Sequence, residues 1–182
     1  DRLAAGAGGV VWAMALGHAT EPVDVSVEAV SVVASPPSVV DDPALVIAVG
    51  TYRGGALTVG DVTLPSQAGR SHVFAVALSL LDGSVLWVAA PDSDLATVAG
   101  TAALSVGSSL VFVAGAFHGS STPAGGAVAA LDLATGSQRW VTRVGNASCS
   151  GVALTMDGSG ETLAVVGSTA AGGQAVGFST SP

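Results

Sequence analysis

Residues able to do chemistry are few in this sequence, and their spacing does not assemble a catalytic centre. His18, His72 and His118 stand far apart, with no HxH or HxxxH pair to place two imidazoles on one metal ion. They read as surface or loop histidines. Asp41-Asp42, Asp92/Asp94 and Asp132 read as solvated or turn-capping acids rather than a general acid–base pair. Asp157-Gly158-Ser159-Gly160-Glu161 has the flavour of a calcium loop but lacks the ligand spacing of one, and reads as a hairpin turn. No GxSxG elbow activates any of the many serines. The single Cys149 is a buried thiol or one half of an intermolecular disulfide. Asn146, the only asparagine, opens the triplet Asn146-Ala147-Ser148, an acceptor for N-glycosylation. No residue is therefore assigned to catalysis, to a cofactor or to a metal.

Composition narrows the partners. The net charge is −8 and the five arginines are scattered, which argues against a nucleic-acid partner. No apolar run reaches the roughly 20 residues of a membrane helix, so no membrane span is expected. Hydrophobic residues make up 49% of the 182-residue chain, enough for a substantial core. Charged residues are only 10% and lysine is absent, so a bare surface of this composition is poorly solvated and should be covered. Glycans on Asn146 and on the Ser/Thr/Pro clusters at 35–38 and 120–123 are one such cover.

What positions these residues is a repeat. ALDLATGSQRW (130–140) recurs as ALSLLDGSVLW (77–87) and, more weakly, as RLAAGAGGVVW (2–12). In each copy a glycine (Gly8, Gly83, Gly136) stands four residues before a tryptophan (Trp12, Trp87, Trp140). This predicts a strand, a tight turn that needs positive φ, and a second strand anchored by the indole. A second signature, ALVIAVGTYRGG (44–55), aligns with SLVFVAGAFHGS (109–120) and ETLAVVGSTAAG (161–172), so that Gly50, Gly115 and Gly167 coincide. Such unbroken apolar runs suit strands covered on both faces, with a glycine marking a bulge or a close backbone approach.

The chain then reads as an orphan strand within 1–16, complete four-stranded units at 23–90 and 95–144, and a three-stranded remainder at 149–180. Residues 23–33 alternate, with Val23, Val25, Val27 and Ala29 on one face against Asp24, Ser26 and Glu28 on the other, and predict a half-exposed strand. The segments 54–71 and 119–126 are expected to be loops. AVGFSTSP (175–182) aligns with AVAALDLA (127–134), so the chain opens with the strand that its last unit lacks.

This order of strands, glycine turns and tryptophans resembles the blade repeats of secreted bacterial β-propellers, and ALDLATGSQRW is similar to the tryptophan-docking repeat of quinoproteins. The resemblance implies an all-β fold of propeller-blade-like four-stranded antiparallel repeats, outside the cell or on its surface. About three blades are present, whereas propellers close with about four to eight. No cluster of carboxylates supports a quinone cofactor, and none is expected.

The reading that follows is a structural protein whose partners are copies of itself. The N-terminal strand, with Val10, Val11, Trp12, Met14 and Leu16, completes the last unit beside Val176 and Phe178, in its own chain or in a neighbour. Head-to-tail donation that does not close builds a filament or surface layer. The alternatives are a binding or adhesion module that uses the loops near Tyr52 and Phe117, and a piece of a larger secreted propeller.

Overall fold

The computed structural model describes residues 12–17, 22–34, 44–65, 71–91, 102–106, 109–117, 125–144, 149–156, 162–169 and 172–179. These residues contain strands and no helix. The first sheet joins β1 (Asp24–Ala34), β2 (Ala44–Arg53), β5 (Ser71–Ser79) and β6 (Val85–Ala89) in that spatial order. Between β2 and β5 the chain makes a separate hairpin, β3 (Leu57–Val59) with β4 (Val62–Leu64). The second sheet is β7 (Ala102–Val106), β8 (Leu110–Phe117), β9 (Gly125–Asp132) and β10 (Gln138–Val144), and the third is β11 (Cys149–Met156), β12 (Thr162–Thr169) and β13 (Gly172–Ser179). Every pairing in the three sheets is antiparallel between neighbours in the chain, save that β5 follows β2 across the hairpin.

The apolar runs become strands buried on both faces because their side chains alternate between two layers. Along β2, Leu45, Ile47 and Val49 point toward the second sheet and meet Val111, Val113 and Leu131 there. Val46 and Ala48 point the other way, into a layer with Phe74 and Val76 that Leu57, Val59 and Leu64 of the hairpin cover. Each large aliphatic side chain so buried contributes roughly 1.5–3 kcal/mol, which makes β2 and β5 the anchors of the first sheet.

The sheets converge at one edge. Packed sheets lie about 10 Å apart, so an approach within 8 Å between Cα atoms marks where they close together. Among the described residues, β1 and β2 come that near β7, and β11 comes that near β7, β8 and β9. The first strands of successive sheets thus lie close together.

Several expectations are corrected. The segment expected to be a strand over 9–16 carries no regular strand at residues 12–16, because no described strand pairs with it; an isolated bridge just beyond it joins Gly17 to Thr58. Val10 and Val11 lie outside the described residues. The alternation predicted over 23–33 is broken by a bulge between Val27 and Ala29. Val23 and Val25 pack toward the hairpin layer, whereas Ala29 and Val33 pack between the sheets, since an extra residue reverses the phase of everything after it. The connection 54–71, expected to be an open loop, holds the hairpin. His72 is buried within β5 rather than on the surface; His18 and His118 lie outside the described residues.

Finally, the alignment of 175–182 with 127–134 is one residue out. Gly115 pairs with Ala127 and Gly167 with Gln174, so Gln174 holds the place of Ala127. The strand pairing decides this, because a one-residue slip would turn every side chain of β13 to the opposite face.

Candidate functional site

The feature built twice with the same parts is a tryptophan seated on a glycine turn of the next sheet. Residue Ser79 ends β5 and Asp132 ends β9, and each begins the turn in the same manner. The amide of Gly83 donates to Ser79 O (3.0 Å) and that of Gly136 to Asp132 O (2.8 Å). Ser79 Oγ accepts from the Leu81 and Asp82 amides, and Asp132 Oδ1 accepts from the Ala134 and Thr135 amides. These are side-chain caps of backbone donors that the turn would otherwise leave unpaired. In the second turn Arg139 also donates to Asp132 Oδ2, 2.6 Å away, and that ion pair above all, helped by the Thr135 and Ala134 bonds, holds the Asp132 carboxyl below its ordinary range despite its partial desolvation.

Both turns close on a glycine with positive φ, +72° at Gly83 and +70° at Gly136. The conformation explains half of the requirement; the neighbouring indole explains the rest. A Cβ on Gly83 would stand 2.7 Å from Trp12 Cδ2, and one on Gly136 would stand 2.6 Å from Trp87 Cε3. Each indole lies flat across its turn and donates from Nε1 to a carbonyl three residues before the glycine: Trp12 to Leu80 O and Trp87 to Leu133 O, both at 3.0 Å. Trp87 belongs to the first sheet and its turn to the second, so this contact fastens sheet to sheet. Met14 and Leu16 follow Trp12 onto the same layer of the first sheet.

Trp140, the third member of the set, faces away from the first sheet, with its ring 6.0 Å from that of Phe112. Gly8 and Asn146 lie outside the described residues. Gly50 is a close-approach glycine: a Cβ there would collide with Ser26 O and the Phe74 ring, where the bulged β1 crosses β2. Gly115 and Gly167 hold the corresponding register on β8 and β12. Val176 and Phe178 lie on β13, opposite Val165 and Leu163 of β12. Cys149 begins β11.

A shallow polar cleft of about 320 Å³ opens at the rim of the first sheet between Asp24, Glu28, Arg53 and Ser71. Tyr52 closes its inner end. The Tyr52 hydroxyl donates to Pro65 O (2.7 Å), tying the end of the hairpin to β2, and burial pushes the phenol up to about 12. Its ring stacks at a tilt on His72 and meets Phe74 edge-on. Among the described residues no group of three His, Cys, Asp or Glu side chains is arranged to hold a metal. No described helix is long and apolar enough to cross a membrane.

The tryptophan and glycine of each turn were visible in the sequence, but not their destination. Trp87 and Leu133 are 46 residues apart, and no local pattern connects them. No protein-family model matches the chain, and none of the curated proteins matches it.

Proposed function

We propose that the chain is a structural, self-associating protein of the cell exterior, built from propeller-blade-like repeats and linked head to tail by donation of its N-terminal segment. The observation that carries this reading is the docking of Trp12 on the first sheet in the manner of Trp87 on the second. Residues 12–16 are placed as the last strand of a sheet preceding the first one would be, yet among the described residues they have no ladder partner. Unpaired strand edges recruit partners through main-chain hydrogen bonds. The scarcity of charge supports an assembled and glycan-covered surface. The 54–71 connection supports the core through its hairpin, which weakens the case for a free recognition loop there.

The test is the native mass of the full chain by light scattering, before and after removal of residues 1–16. Association that disappears with the segment, leaving a β-rich remainder by circular dichroism, is the expected result. Single chains before the removal would refute strand donation.

A further inference from the structure

Resting on that reading, we infer that residues 12–16 of one copy of the chain enter the third sheet of another beside β13, with Trp12 placed opposite Gly177 of that copy. The register follows from the first two sheets. Gly50 pairs with Phe74, Gly115 with Ala127 and Gly167 with Gln174, so these three partners hold one equivalent place. Three residues further along lie Ala77, Ala130 and Gly177. Ala77 pairs with Trp87, and Ala130 pairs with Trp140. In both sheets the tryptophan therefore stands beside a residue with little or no side chain, and Gly177 is the third of the kind. No fourth strand pairs with β13 among the described residues. Residues 12–16 supply one, with Ala13 opposite Val176 and Met14 opposite Ala175.

The surface that receives the second copy is the outer face of the first sheet. Val30 and Val32 are each 59% exposed there. Val32 pairs with Val46, and Val106 pairs with Val111 at the equivalent place in the second sheet. Val106 is packed against the first sheet, in the layer between the two. Val32 is bare although the β3–β4 hairpin covers its partner Val46 on the same face. The chain's own third sheet approaches the second, through β11 with β7 and β8, at the other end of the row. The occupant we assign to it is the third sheet of another copy, whose β13 edge the donated segment would pair with.

Light scattering on the full chain should give a multiple of the chain mass of 17.4 kDa, and single chains would overturn both this register and strand donation. Val32→Glu, at a position exposed in the single chain, should lower the mass to that of single chains with the circular dichroism spectrum unchanged; an assembly that persists would refute the interface. Met14→Cys with Ala175→Cys, in a Cys149→Ser background, should form a bridge between chains on oxidation. Met14→Cys with Val176→Cys should not, because a one-residue offset puts the two Cβ atoms on opposite faces. A bridge found within one chain would overturn the role of the second copy.

Discussion

Gly136→Ala should be among the most damaging single substitutions in the described part of this chain, and its cost can be assembled from the geometry. A residue with a Cβ pays roughly 1–2 kcal/mol to occupy the left-handed region that Gly136 holds at +70°. The new methyl would also stand 2.6 Å from Trp87 Cε3, and the indole is wedged between two sheets with only 7% of its surface exposed. It must move, stretching or breaking the 3.0 Å bond to Leu133 O. A lost hydrogen bond costs about 1 kcal/mol, and disturbed packing adds about 1–2 kcal/mol more. The total is about 3–5 kcal/mol, read by urea denaturation. The partition is tested by a double-mutant cycle with Trp87→Ala, which itself should cost about 3–5 kcal/mol. Once the indole is gone, Gly136→Ala should cost only its backbone share of roughly 1–2 kcal/mol. Strict additivity would refute the docking argument and leave the glycine as a turn former alone.

Two further outcomes follow from the titratable groups. Asp132→Asn should cost about 1 kcal/mol through the weakened turn cap, whereas Arg139→Ala should cost about 0.5 kcal/mol or less because the guanidinium is largely solvated. Because the folded Asp132 carboxyl is held below its ordinary range, its contribution is present above the unfolded pKa and lost as pH falls through the folded one. Acid unfolding monitored by tryptophan fluorescence should therefore shift in Asp132→Asn. The Tyr52 phenol is raised instead, so its contribution is complete below pH 10 and lost as the pH rises toward about 12, by on the order of 2–3 kcal/mol. Tyr52→Phe should remove that alkaline loss while costing about 1 kcal/mol at neutral pH for the missing bond to Pro65, both measured by denaturant melts across pH.

The strands were legible in the amino-acid order because their signals are local. β2 and β8 announce themselves as unbroken apolar runs, and the glycine before each tryptophan marks a hairpin turn through its own backbone freedom. The bulge in β1 was not legible. It lies at Glu28, between the Val27–Gly50 and Ala29–Val49 pairs formed with another strand, and it sends Ala29 and Val33 to the face opposite Val25. The hairpin at 57–64 escaped notice because three-residue strands carry too little periodicity to stand out within a Gly- and Thr-rich stretch. His72 passed for a surface residue because a lone histidine says nothing of its depth; it is buried by Tyr52 across the β2–β5 ladder.

The candidate site divides in the same way. Trp12, Trp87, Gly83 and Gly136 can be picked out by spacing alone, since turn conformation depends on a few adjacent residues. Which indole covers which turn depends on sheets packing face to face across 46 and 68 residues of chain. An indole N–H needs an acceptor once buried, and only the stacking of the sheets brings one within 3.0 Å of it.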